Sequence, residues 1–259
     1  MKISIIIQYY NRRYQLLNTL SSIDNSTIKN DCEIIIVDDA SSKEHEIHDV
    51  PVMFPELNFK IFSFTKEEKW WCCPVVTINK GISMATGDAA ILLCGECMFV
   101  GDVLLDVKER IKSNDYLVYS TLALTEEQTF SLTAKTYSEI INNVFTPSAN
   151  IGVPGGWYQH SKYRNACYNF CTAITMEDLL DLGGFDERFG WGVSHGDDDF
   201  IIRVRKKGMN VISIDSPITY HQWHPPMQEY PISNNLVDGK LLNVTRNEPG
   251  YKVKNSFIS

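Results

Sequence analysis

The sequence predicts an α/β fold, a Rossmann-like and mostly parallel central sheet flanked by helices. Three observations carry this. Residues 2–7, 33–37 and 89–94 are nearly unbroken apolar runs, the pattern of strands covered on both faces. Between the first two, Leu17, Leu20 and Ile23 recur at helical spacing within 14–23. Strand, helix and strand then form a βαβ unit with a right-handed crossover. Finally, the polar residues of this half fall directly after those strands, at the edge where open α/β sheets bind ligands.

The remaining elements follow in order. Residues 59–64 read as a third strand. Residues 74–85 read as a helix, with Pro74 at its start and Gly87 beyond its end. Residues 104–113 read as a helix, 117–124 as a strand and 138–145 as a short helix. Periodicity fails over 146–169, where Pro147, Gly152, Pro154, Gly155 and Gly156 precede Trp157, Tyr158, Tyr163 and Tyr168. A loop of that length in a compact domain is uncommon and often functional. Residues 176–182 form a helix stopped by Gly183 and Gly184. Residues 198–207 form another, entered through acidic residues that suit its dipole. Short strands are expected at 211–214 and 218–221, and beyond Pro225 a polar tail packs over the domain.

Composition sets the outer limits. The chain has 259 residues, 44% hydrophobic and 22% charged. It can bury a core without disulfide staples, which excludes collagen-like, low-complexity and disordered classes. The net charge is −8 and there is no basic stripe, which argues against a nucleic-acid partner. No apolar run approaches the ~18 residues of a membrane span, and 3–7 is shorter than a signal-peptide core of about 7–15 residues. A cytoplasmic protein without an integral membrane segment is expected, with peripheral placement at a membrane compatible. The seven cysteines are expected reduced. A zinc site of Cys94, Cys97, Cys167 and Cys171 is weighed against the commoner reading, small buried core thiols.

The chemistry-bearing residues form two groups. Gln8, Tyr10 and Asn11 follow the first strand, Asp38 and Asp39 the second, and Gly95 and Glu96 the fourth. Neither GxGxxG nor GxxxxGK[ST] occurs, so a phosphate here needs a cation held on carboxylates. Each acid alone could merely cap a helix or be solvated; their coincidence at one edge favours a site. Downstream lies Gly196-Asp197-Asp198-Asp199, then Tyr220-His221-Gln222-Trp223-His224-Pro225. Adjacent carboxylates at a helix start either cap it or supply a base to a substrate hydroxyl. Imidazoles beside Trp and Pro are either core or metal ligands.

These stretches together resemble family 2 glycosyltransferases with the GT-A fold. Residues 3–12 look like that family's opening strand and YN-R turn. Ile36-Val37-Asp38-Asp39-Ala40-Ser41 looks like its VDDxS nucleotide motif. Asn79-Lys80-Gly81-Ile82 with Ala85-Thr86-Gly87-Asp88 is similar to its N-x-G-I…A-x-G-D helix. Residues 92–102 occupy the place of the DXD motif. The later GGFDERFGWG…GDDDF and YHQWHPP resemble the acceptor half of β-1,4-galactosyltransferases and bacterial chondroitin polymerases.

The resemblance implies one continuous GT-A domain: a donor half at 1–102, an acceptor and catalytic half at 103–225, and a tail at 226–259. Gln8, Tyr10, Asn11, Asp38, Asp39 and Gly95 would line the nucleotide of a UDP-sugar, with Gln8, Tyr10 and Asp39 on the uracil. Glu96 would ligate Mn²⁺ or Mg²⁺ and His221, rather than His224, would complete that site. Asp197 would be the base and Asp198 would contact the acceptor. Trp157, His160 and Trp191 would lie near the sugar or acceptor. The implied reaction moves a hexose such as Gal, GalNAc or Glc, with inversion, to a glycan, lipid-linked or protein-linked hydroxyl. Two positions depart from the family: Cys94-Gly95-Glu96 lacks the first Asp of DXD, and Gly196 stands where Glu is usual before Asp197. The alternatives are a non-catalytic sugar- or partner-binding domain and a metal-dependent phosphohydrolase or nuclease.

Overall fold

Buried apolar strands organise the first half of the chain: β1 (Ile3–Tyr9), β2 (Cys32–Asp38), β3 (Phe59–Ser63) and β4 (Ala89–Cys94). They pair in parallel in the order β3-β2-β1-β4. The computed structural model describes residues 1–148, 152–192, 195–225, 235–247 and 250–257. Helix α1 (Arg13–Asp24) covers one sheet face with Leu16, Leu20 and Ile23. After the short α2 (Val50–Met53), α3 (Val75–Met84) covers the other face. Its Gly81 lets it lie close, since a Cβ there would stand 2.4 Å from Ile6 Cγ2.

The second half extends the same sheet to nine strands, in the order β3-β2-β1-β4-β8-β6-β9-β5, with β7 on β6. The strands are β5 (Cys97–Val100), β6 (Asp115–Ala123), β7 (Trp157–Gln159), β8 (Cys171–Thr175) and β9 (Asn210–His221). β8 is antiparallel to β4 and β6, whereas β9 is parallel to β6 and antiparallel to β5. α4 (Val103–Arg110) joins α1 on its face. α7 (Met176–Asp181) and α8 (Gly196–Lys206) join α3 on the other, giving three layers with a core on each side of the sheet.

The α/β expectation holds, with local corrections. β5, β7 and β8 form where no strand is expected from the sequence. They are 4, 3 and 5 residues long, too short for periodicity to show, and pairing to neighbours defines them. The two short strands expected at 211–214 and 218–221 are one strand, β9. Its pairing to β6 slips between Tyr119 and Thr121, opposite Asp215 to Ile218. Pro217 thus sits in an irregular stretch where its missing N–H costs no ladder bond. α5 (Glu126–Ser131) opens with a Thr125–Gln128 capping box and α6 (Tyr137–Asn142) with a Thr136–Glu139 box. The tail beyond Pro225 contains a helix, α9 (Asn235–Asn247), which packs on α8 through Thr245.

Candidate active site

The carboxyl ends of β1, β2 and β4 and the end of β9 meet at one sheet edge. β4 ends on Cys94, and Gly95 N–H donates to the Gln8 carbonyl at 3.1 Å. A Cβ on Gly95 would lie 3.1 Å from that oxygen, so the glycine permits the close approach. The next residue, Glu96, is buried with its Oε1 in a small polar nest. Arg12 Nη1 donates to it at 2.5 Å, and His221 Nε2 and His224 Nε2 lie 3.5 and 3.7 Å away. Burial pushes the Glu96 carboxyl up, but the Arg12 guanidinium and the imidazoles outweigh this and hold it well below the usual range. Burial lowers the His224 pKa, with Arg12 acting in the same direction.

Glu96, His221 and His224 offer ligand atoms within 4.8 Å of one another, and they are the one such cluster among the described residues. His224 was expected to stand aside in a turn, with His221 the sole imidazole. The structure brings both to Glu96, because Gln222 ties the intervening segment down. Gln222 N–H and Nε2 both donate to the Glu96 carbonyl at 3.1 Å, and Nε2 also reaches Gln15 O on α1. Gln15 Nε2 in turn donates to Trp223 O at 2.9 Å. Sequence reasoning missed Gln222; its one signal was its place between two histidines. The four-cysteine zinc alternative falls, since no such cluster occurs among the described residues.

The β1 and β2 ends clamp each other. Asn11 N–H donates to Ser41 Oγ, Ser42 N–H to Asn11 Oδ1, and Ser41 N–H to Asp38 Oδ1. Asn11 and Ala40 both take positive φ to make this turn. Asp39 is buried and accepts from Trp71 Nε1 at 2.6 Å, Thr77 Oγ1 at 3.0 Å and Lys69 Nζ at 2.8 Å. Its desolvation outweighs Lys69 and raises its pKa. Four acceptor positions minus three donors leave Asp39 one position, on Oδ2. Lys69 Nζ also lies 4.0 Å from the Tyr10 ring centroid, a cation–π contact. Sequence reasoning had passed over Lys69 and Trp71.

A cleft of about 260 Å³ joins this edge to the start of α8, lined by Gln8, Cys73, Tyr168, His195, Asp197 and Asp198 among others. Gln8 Nε2 donates to Cys94 Sγ at 3.0 Å, while its Oε1 has no hydrogen-bond partner among the described residues. Asn169 Nδ2 donates to Asp197 Oδ1 at 2.7 Å. Tyr116 and Thr172 hydroxyls both donate to Asn169 Oδ1, which fixes the amide so that its NH₂ faces Asp197. Burial, with Asp198 adding like charge, raises the Asp197 pKa despite that bond. Asp198 differs: it accepts from Tyr168 at 3.0 Å and pairs with His195 Nδ1 at 2.8 Å. Two neighbouring carboxylates thus sit in different surroundings, Asp197 raised by desolvation and Asp198 engaged by a hydroxyl and an imidazole.

The aromatic residues divide. Trp157 packs in a separate core with Met98, Leu122 and Tyr220, and its ring lies 4.5 Å from His160. Neither is brought to Glu96. The intervening Tyr158 is, its ring 4.4 Å from His221, because alternate strand residues face opposite sides. Trp191 is exposed, its ring 4.8 Å from that of Trp70 and tilted 40° to it. That pair adjoins the cleft through the Cys72 N–H bond to the Gly190 carbonyl.

Comparison with known proteins places this arrangement. The chain is 26% identical to the amylovoran biosynthesis glycosyltransferase AmsB of Erwinia amylovora, over 84% of this chain and 69% of that protein. It is 31% identical to the uncharacterized glycosyltransferase YwdF of Bacillus subtilis (strain 168), over 45% and 41%. S. aureus TarS in complex with UDP-GlcNAc superposes with a TM-score of 0.67 at 16% identity, over 97% of this chain and 68% of that one. The mannosyltransferase PcManGT from Pyrobaculum calidifontis, in complex with GDP-Man and Mn²⁺, gives 0.57 at 14%, over 95% and 62%. The chain spans only 41% of a longer TarS structure. The likeness to these structures identifies the GT-A fold. No helix among the described residues is long and apolar enough to cross a membrane. The family match, "Glycosyltransferase like family 2", runs over residues 4–237, and the chain belongs to that family.

Proposed function

We propose that this chain is a metal-dependent, inverting glycosyltransferase that moves a hexose from a UDP-sugar to a hydroxyl of a glycan or other acceptor. One observation carries the reading: a single cleft is lined by Gln8 of the donor edge and by Asp197 and Asp198 of α8. A sugar bridging the two would place its anomeric carbon between a nucleotide site and a base. The acceptor motifs, similar to those of β-1,4-galactosyltransferases and chondroitin polymerases, support a sugar hydroxyl as the acceptor.

The donor set tests the cation. One carboxylate and two imidazoles suit a transition metal, whereas Mg²⁺ favours oxygen ligands. The residues fit Mn²⁺ better than Mg²⁺. Glu96, His221 and His224 would hold it, and it would supply Lewis-acid neutralisation of the departing diphosphate. Gln8 and Asp39 offer free acceptor positions to the N–H of a uracil. Asp197 takes the proton of the acceptor hydroxyl while that oxygen bonds the anomeric carbon. The bond from that carbon to the diphosphate oxygen breaks in the same displacement, which inverts the centre. Asn169 orients Asp197, and Asp198 with His195 and Tyr168 forms the acceptor-side wall. Asp102, the bound between donor and acceptor halves, caps α4, while strands of both halves pair in one sheet, which supports one continuous domain.

The test is a donor panel of UDP-Gal, UDP-GalNAc, UDP-Glc, UDP-GlcNAc, UDP-Xyl and GDP-Man, assayed for binding and slow hydrolysis with Mn²⁺. Turnover of one UDP-sugar is expected. Turnover of GDP-Man alone overturns the nucleobase assignment, and binding without turnover in the presence of acceptors favours a non-catalytic binder.

A further inference from the structure

Arg12 stands at the N-cap position of α1, directly after the donor-edge turn. Its guanidinium meets Glu96 Oε1, the same oxygen that both imidazoles face. Glu96 is the only carboxylate of the cluster. With the imidazoles in the neutral form that ligates a metal, the charges of Arg12 and Glu96 cancel. A bare divalent ion therefore meets a site with no net negative charge and with a guanidinium already on its anionic ligand. Most oxygen-rich cation sites carry an excess of carboxylates. Here the missing anions have to come from elsewhere, and a diphosphate brings them. The Arg12 side chain is partly exposed, and the guanidinium fork matches phosphate oxygens.

We propose that Arg12 is an electrostatic gate on the cation site, blocking Glu96 to a bare divalent ion and yielding it when the ion arrives with a nucleoside diphosphate. This rests on the nucleotide-sugar reading above. The gate makes cation and nucleotide binding mutually dependent and keeps Arg12 in a positioning role.

The experiment is a titration of the full chain with Mn²⁺, read by the loss of the free-ion electron paramagnetic resonance signal, with and without UDP. Wild type, Arg12→Gln, Arg12→Lys and Glu96→Gln are compared, with circular dichroism and melting to verify folding. Wild type should bind bare Mn²⁺ weakly, and UDP should tighten it at least about tenfold. Removing a positive charge a few ångströms from a dication should let Arg12→Gln bind bare Mn²⁺ at least about tenfold more tightly than wild type. The UDP enhancement should shrink accordingly. Arg12→Lys keeps the charge and should stay near wild type, and Glu96→Gln should lose binding in both states. A folded Arg12→Gln that binds bare Mn²⁺ no better than wild type overturns the gate. So does a wild-type protein that binds UDP by calorimetry yet binds bare Mn²⁺ as tightly as it does with UDP, whichever variants fold. Failure of the donor reading looks different: UDP then changes Mn²⁺ binding in no protein, while the Arg12→Gln gain remains and upholds the gate alone.

Discussion

Replacing Asp197 by Asn should make the protein slower and more stable at once. Asn keeps the volume and the Oδ1 acceptor that Asn169 reaches at 2.7 Å, so packing around α8 is preserved. What goes is the proposed base. Loss of general-base catalysis typically costs 10²–10⁴-fold, and the lower bound of about 10² is about 2.7 kcal/mol of activation free energy. Stability moves the other way. Burial raises the folded-state pKa of Asp197 above its unfolded value. Such a group contributes stability that is present below the unfolded pKa, near ~3.9, and that is lost as pH rises through the folded value. At pH 7 to 8 wild type therefore carries a half-buried, desolvated carboxylate that Asn does not, and Asp197→Asn should melt higher. The gain should vanish toward acid. Transfer is measured with the donor found in the panel, and melting across pH 4 to 8. Transfer by Asp197→Asn within about threefold of wild type, or an inactive Asp198→Asn, refutes Asp197 as the base. A melting temperature unchanged at every pH refutes the electrostatic half.

Asn169→Asp should place a second carboxylate against Asp197 and move the acidic limb of kcat/KM to higher pH; a pH–rate profile that does not move refutes the orienting role. His221→Ala and His224→Ala should each weaken Mn²⁺-dependent UDP affinity by about tenfold or more, read by calorimetry; loss with only one of them restores a single-imidazole site. Gly196→Ala would bring a Cβ within 2.8 Å of Val75 Cγ1 and 2.9 Å of Cys73 Sγ. Overpacking of this kind costs about 1–3 kcal/mol, so the variant should melt lower and lose transfer as α8 shifts. Unaltered melting would show that the α3–α8 contact yields easily.

The donor half was legible because parallel strands covered on both faces leave continuous apolar runs, and because each run ends abruptly on polar residues. β1, β2 and β4 all behave this way. The acceptor half was less legible. β7 and β8 lie beside the long aromatic loop, and their strand character comes from pairing with β6 and β4, which no local pattern records. His224 was misjudged for a similar reason. Pro225 marks a turn, but the anchors that swing this turn back over Glu96 are Gln15 on α1 and Thr129 on α5, more than ninety residues away in sequence. Asn169 carried no signal at all: a lone amide at a loop end becomes informative only when Tyr116, Thr172 and Asp197 are seen around it.

Cys94 shows how the departure from DXD fits the remaining site. A carboxylate is expected at that place by resemblance, and the thiol there accepts from Gln8 and hydrogen-bonds the Asn169 carbonyl at 3.5 Å. It therefore links a donor-edge residue to the residue that orients Asp197, a join that a charged group would disturb with a second buried anion beside Glu96. The consequence falls on the cation. With one carboxylate instead of two, the proposed cation site would lean on two imidazoles for ligation and on Arg12 for charge balance before ligand arrival. Restoring an acid by Cys94→Asp should then strengthen bare Mn²⁺ binding yet separate Gln8 from Asn169. Affinity for the ion would rise while transfer falls, and a variant that gains both would show that the thiol link has no part in positioning Asp197.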